Sequence, residues 1–146
     1  MSNIINSFDG EYDFLSNFYE CPINWEGNLY RNSESIYQSY KTLDDVPYDF
    51  TKTTGSQAKR ISKTLNIRQD WNKIKLKLMY KICQEKFNQN PNIAKKLMDT
   101  GDAILIEGNY WNDTYWGICN GKGQNHLGKI LMKIRNELFE KQNQLF

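Results

Sequence analysis

A chain of 146 residues, 39% hydrophobic and 25% charged, has the size and composition of one globular domain that can bury a core without staples. A formal net charge of +2 argues against a protein held to nucleic acid or to a membrane surface by bulk charge, and leaves room for a local anion pocket. Cys21, Cys83 and Cys119 are odd in number and widely spaced, so a disulfide framework is not expected and a reducing compartment is. The single histidine, His126, removes zinc sites built on several histidines. Carboxylates and lysines are then the expected chemists, with no metal and no other cofactor. Met1 to Phe8 shows no basic stretch followed by an apolar run, and no stretch of about 18 apolar residues exists. A cytoplasmic protein with no membrane partner is expected.

Residues 1–31 read as short strands and turns, with a turn at Asp9-Gly10 and a hairpin over Ile23–Tyr30 around Glu26-Gly27-Asn28. Asn32 or Ser33 caps a helix predicted to run to about Leu43, and Pro47 lies just beyond it. Gly55-Ser56 opens a second helix with Ala58, Ile61 and Leu65 on one face. Asp70 caps a long helix to about Asn88 with two apolar stripes: Trp71, Ile74, Leu78, Ile82 on one, Leu76, Met79, Cys83, Phe87 on the other. Asn90-Pro91 starts a short helix that runs to Asp99 and stops at Thr100-Gly101. Ala103–Glu107 reads as a strand. A last helix starts near Asn125 with Leu127, Leu131, Ile134 and Leu138 inward. The predicted class is α+β, mainly helical, one compact domain over residues 1–146 with a few short strands.

Three segments hold chemistry-bearing side chains. On a helix, Glu34, Tyr37, Gln38 and Lys41 fall at i, i+3, i+4 and i+7 and form one polar stripe. Glu34 sits in the first turn, where the helix dipole favours a carboxylate. Facing a cleft, it would stabilise a developing oxocarbenium ion or act as a base; the alternative is an ordinary solvated helix face. In Asn109–Gly117, Tyr110, Trp111, Tyr115 and Trp116 crowd around Asp113. The rings suit stacking on a base, with the acid near ribose hydroxyls; the alternative is a loop that plugs one end of the core. In Gly121–Gly128, glycines and Lys122 precede a helix start, an arrangement able to hold phosphate. It matches neither the P-loop nor the dinucleotide-binding pattern. His126 there reads as a capping or packing residue, and Trp71 as a core residue whose early position in its helix permits a ring at a cleft mouth.

Taken in order, these segments resemble the NADAR family, the YbiA-like N-glycosidases. Phe14-Leu15-Ser16-Asn17-Phe18-Tyr19 is similar to the family's F-L-S-N-F opening, and Ser33-Glu34 with Tyr37-Gln38 and Lys41 to its S-E-x-x-Y-Q-x-x-K helix. Ala58-Lys59, Arg68-Gln69-Asp70-Trp71, Lys86-Phe87, Thr100-Gly101, Glu107, Asp113–Gly117, Gly123–Gly128 and Leu131–Arg135 follow in the family's order. The resemblance covers nearly the whole chain. His126 departs from it, standing where an Arg or another residue is common.

The resemblance implies a compact, mainly helical α+β domain that hydrolyses an N-glycosidic bond. Two substrate classes are implied: ADP-ribose on guanine, in DNA, RNA or nucleoside, and aminopyrimidine ribose phosphates of the early riboflavin pathway. The first is the expected one. The implied functional positions are Glu34, Trp71 and Asp113, with Lys41 as the helix lysine. Lys41 is expected to be the nucleophile, through a Schiff base with the opened ribose. Asn17, Phe18, Tyr37, Gln38, Trp71, Trp111, Trp116, Gly117, Lys122, Gly123 and Asn125 are expected to contact substrate. Lys73, Lys75 and Lys77 would meet a polynucleotide backbone, or form a solvated face. Two rival readings use the same segments: a reader that binds ADP-ribose without turnover, and a plain nucleic-acid-binding module, which would show steep salt dependence.

Overall fold

The computed structural model describes residues 3–144; Met1 and Ser2, on which part of the leaderless reading of the start rests, and Leu145 and Phe146 lie outside the described residues. The order of elements is β1 (Ile4–Ile5), β2 (Ile23–Trp25), β3 (Asn28–Tyr30), α1 (Ser33–Ser39), α2 (Gly55–Ser62), α3 (Trp71–Gln89), α4 (Pro91–Asp99), β4 (Ile104–Leu105), β5 (Gly108–Asn109), β6 (Ile118–Cys119) and α5 (His126–Asn143). Two 3-10 turns, Gly10–Leu15 and Phe50–Lys52, complete it. The class is α+β and mainly helical, as predicted. No helix among the described residues is long and apolar enough to cross a membrane. The chain forms two compact units, residues 17–90 and residues 3–16 with 91–144.

In the 17–90 unit, β2 and β3 pair antiparallel with Ile23 opposite Tyr30 and Trp25 opposite Asn28. The turn is the two residues Glu26 and Gly27, both at positive φ (50° and 84°), the backbone a tight two-residue hairpin requires. Asn28, expected in the turn, is already in the strand. α1 packs on α2 and α3, and α3 lies against β2. Ile23, Ile36, Ala58, Met79, Ile82, Cys83 and Phe87 form the core, each no more than 1% exposed. The stripes of α3 are buried except at Ile74, which is half-buried, and at Leu76, which is 40% exposed and corrects its placement in the second stripe.

α1 ends at Ser39, four residues before the expected Leu43, which is exposed. The cause is a long-range bond: the backbone N–H of Arg68 donates to the Lys41 carbonyl at 2.7 Å and draws the chain out of the helix. α2 starts as predicted. Thr54 caps it in a reciprocal box with Gln57, and the helix stops before Leu65.

In the other unit, β1 pairs parallel with β4, Ile4 with Ile104 and Ile5 with Leu105. The predicted strand Ala103–Glu107 is regular only over these two residues. α4 has the predicted bounds, and α5 packs on α4 and β4 through Leu127, Ile130, Leu131 and Ile134. Residues 108–119, which carry no strand periodicity, still hold a short parallel pair, β5 with β6.

Candidate active site

The amino end of α1 is where the sequence motif becomes a site. A helix start leaves its first N–H groups unpaired. Asn32, fully buried, accepts the Ser35 N–H on its Oδ1 at 2.8 Å. Its Nδ2 donates to Glu20 at 2.9 Å and to the Thr53 carbonyl at 3.1 Å. Asn17 closes the other side: its carbonyl accepts the Glu34 N–H at 3.0 Å, and its Oδ1 accepts Ser33 Oγ at 3.0 Å. The Asn17 Nδ2 donates to Met79 Sδ at 3.4 Å. The side-chain amide of Asn17 thus bridges the start of α1 and α3.

This covering from distant segments buries every residue from Ser33 to Gln38. The stripe is thus no solvated face. Glu34 is 7% exposed, Tyr37 5% and Gln38 3%. Gln38 Nε2 donates to Glu34 Oε1 at 2.6 Å. The carbonyl oxygen of that amide, Gln38 Oε1, is buried and has no hydrogen-bond partner among the described residues.

Lys41, one turn further on, is half-buried, with Nζ 6.0 Å from the ring centroids of both Tyr37 and Trp71. Those rings pack on each other at 4.9 Å. Burial pushes the Lys41 pKa below that of an ordinary lysine; Glu34 pulls it back up, while Lys59 and Lys75 push it further down. Arg68 and Asp70 explain how Trp71 comes to lie beside Lys41. Their side chains form a two-pronged pair at 2.6 and 3.0 Å just before α3, and the Arg68 N–H holds the Lys41 carbonyl. Asp70 occupies the cap position as expected, but its carboxylate serves Arg68 and makes no capping bond. Phe18 is 41% exposed, with Lys59 Nζ 6.0 Å from its centroid.

Several residues here carry no signal in the sequence: Ser35, Thr53 and the pairing of Arg68 with Asp70, while Asn32 and Asp70 read there only as helix caps. Lys86 is 1% exposed, with Nζ 5.8 Å from the Tyr19 centroid and 5.2 Å from that of Phe87. Burial pushes the Cys83 thiol up to about 12, Lys86 working against this and Glu34 with it, which makes Cys83 a packing thiol.

The second and third sequence segments lie in the other unit. Asn109 staples the aromatic loop, accepting the Asp113 N–H at 3.1 Å and donating to the Asp113 carbonyl at 2.9 Å. Asp113 Oδ1 accepts the N–H groups of Tyr115 and Trp116 at 3.1 and 2.9 Å. Its second oxygen has no partner among the described residues. Trp111 is 48% exposed. Trp116 is half-buried and packs edge-on against Tyr115.

At the helix start read as the end of a phosphate cradle over Gly121–Gly128, the N–H groups of Gln124, Asn125, His126 and Leu127 donate to the carbonyls of Thr114, Gly117, Tyr115 and Trp116 at 2.8 to 3.3 Å, so those four groups face the aromatic loop. Asn125 is buried, with its Oδ1 accepting the Glu107 N–H and its Nδ2 donating to the Leu105 carbonyl. Gly117 and Gly123 are close-approach positions: a Cβ would fall 1.9 Å from Glu107 Oε2 at the first and 2.1 Å from the Gly117 carbonyl oxygen at the second. Their lack of a side chain serves backbone packing. Lys122 is exposed, and His126 packs on Tyr115 at 4.5 Å.

Among the described residues no group of three His, Cys, Asp or Glu side chains is arranged to hold a metal ion.

Comparison with known proteins gives a consistent result. A family model described as the NADAR domain matches residues 5–139. A riboflavin biosynthesis protein of Vibrio vulnificus is 39% identical over 138 residues; the match takes in 90% of this chain and 37% of that longer protein. The N-glycosidase YbiA of Shigella flexneri is 35% identical over 142 residues, 92% of this chain and 88% of the relative. The solution NMR structure of Escherichia coli YbiA superimposes with a TM-score of 0.85 at 32% identity, covering 97% of this chain and 89% of that one.

Proposed function

The chain belongs to the NADAR family and is an N-glycosidase, and from that premise we propose that it cleaves the bond between a base and an anionic ribose, using Glu34 and Lys41. The observation that carries this is the buried Glu34–Gln38 pair on α1, followed just beyond the helix end by a lysine amine whose proton is loosened by burial. A fixed carboxylate in a water-poor place is worth most where positive charge develops, as it does on the sugar ring in glycosidic cleavage. The unprotonated Lys41 amine adds to the anomeric carbon while the base leaves with the bonding electron pair and takes up a proton. Ring opening gives a Schiff base on Lys41, and water releases the sugar and restores the amine. Trp71 and Tyr37 form the wall beside that amine. Lys59 and Lys75, whose charges are felt at Lys41, suit a substrate that carries phosphate.

The lead substrate is ADP-ribosylated guanine, as nucleoside or in DNA or RNA. What supports it is Phe18, an exposed ring with a lysine over it, which suits a purine. The relative named for riboflavin biosynthesis favours a second reading, an aminopyrimidine ribose phosphate. For Asp113, support for a chemical role is its unspent carboxylate oxygen; for Trp111, it is the exposed ring. The test is a side-by-side assay at equal concentrations, following guanine and ADP-ribose against aminopyrimidine and ribose phosphate. Faster release of guanine is expected. Faster release of the aminopyrimidine would move the assignment to the second substrate, and release from neither would favour a non-catalytic reader of ADP-ribose.

A further inference from the structure

The carbonyl oxygen of Gln38 is a buried polar atom with no hydrogen-bond partner among the described residues, on a residue 3% exposed. Leaving such a group unpaired is costly, and residues packed around α1 show how thoroughly this region otherwise satisfies its polar atoms. Asn32 uses its amide at both ends, as does Asn17. The orientation of the Gln38 amide is not arbitrary. Its nitrogen donates to Glu34 at 2.6 Å, and turning it over would set a carbonyl oxygen against a carboxylate oxygen, two acceptors face to face. Glu34 therefore points Oε1 away from itself, as an acceptor beside the carboxylate.

We propose that Gln38 Oε1 accepts a hydrogen bond from the 2-hydroxyl of the substrate's ribose, making Gln38 the residue that distinguishes ribose from 2-deoxyribose. This rests on the reading of Glu34 as the carboxylate that faces the anomeric carbon. A carbonyl oxygen takes only a donor, which excludes phosphate and base carbonyls. Oε1 belongs to the same amide that grips Glu34, so a sugar whose reacting carbon meets the carboxylate brings the hydroxyl on the adjacent carbon to the amide. Hydrogen bonds to that hydroxyl also strengthen as charge develops on the ring. A site built around a donor rejects the analogue lacking it, because the buried acceptor is left unpaired again.

The experiment is calorimetric binding of ribose 5-phosphate, 2-deoxyribose 5-phosphate and 3-deoxyribose 5-phosphate to the wild type, Gln38→Met and Gln38→Glu, with thermal melting as the folding control. The wild type should bind ribose 5-phosphate about 10- to 100-fold more tightly than the 2-deoxy sugar, with the 3-deoxy sugar close to ribose. Gln38→Met should bind all three about equally. Gln38→Glu supplies a test that a merely structural role would not move. Its carboxyl keeps an acceptor for the sugar hydroxyl, and when protonated it also keeps the donor to Glu34, so discrimination should survive at acid pH where Gln38→Met has lost it. Discrimination in Gln38→Met equal to the wild type's, or a loss that follows the 3-hydroxyl instead, would overturn the proposal while leaving the glycosidase site in place. No binding of any ribose phosphate to the wild type would remove the proposed site, and this inference with it.

Discussion

The start of α1 and the start of α5 are both helix openings rich in polar residues and preceded by a conspicuous motif, yet they end in opposite states. At α1, residues 17, 32 and 53 reach in from outside the helix, satisfy its first turn and bury it, and the polar stripe keeps unspent capacity: the Gln38 oxygen and the half-buried Lys41 amine. At α5, four successive N–H groups go to the carbonyls of the aromatic loop, and Asn125 spends both ends of its amide. A motif of small and polar residues can thus be a site or a weld. What separates the two is hydrogen-bonding capacity left over after the fold has been satisfied.

The largest effect that would break this comparison is at Glu34. Glu34→Gln should fold with an unchanged melting transition and lose about 100- to 1000-fold in turnover. A variant with wild-type rates would remove the carboxylate from the chemistry. Asn125→Ala should show the reverse pattern. It strips one buried and one part-buried hydrogen bond and leaves a non-glycine residue at φ 55°, so a loss of about 2–4 kcal/mol of stability is expected in urea unfolding, with kcat per folded molecule little changed. A selective rise in KM without loss of stability would return Asn125 to the substrate.

A smaller effect sharpens the assignment of Asp113. Asp113→Asn keeps an oxygen for the Tyr115 and Trp116 N–H groups, so the loop should hold and the melting point should stay within about 2 °C of the wild type. A fall in kcat on that stable background would give the second carboxylate oxygen a chemical part. Unchanged kcat would leave Asp113 as a turn-former alone.

Local chemistry made much of the fold legible. Asn90-Pro91 and Thr100-Gly101 delimit α4 because a cap, a proline in the first turn and a glycine stop act within a few residues. The hairpin at Glu26-Gly27 is local in the same sense. β5 and β6 are not legible as strands, since each is two residues long and exists only through its partner. In the site, periodicity placed Glu34, Gln38 and Lys41 on one stripe, but nothing in it distinguishes an exposed face from a buried one. That depends on Asn17 and Thr53, each more than a dozen residues away from the side chains they cover. The glycines of 121–128 read as an open anion loop, and only the Gly117 carbonyl oxygen packed against Gly123 reveals close approach there.

The central claim is that the desolvated amine of Lys41 reacts with the sugar. Turnover in the presence of a hydride reductant, followed by peptide mass analysis across a pH series, tests it most directly. The predicted result is a sugar mass on the peptide that contains Lys41. Because burial lowers the pKa of this amine, its unprotonated fraction, and with it the labelling, should climb with pH before ordinary lysines lose their protons. Labelling on a different lysine, or undiminished turnover with no label at any pH, would contradict the claim.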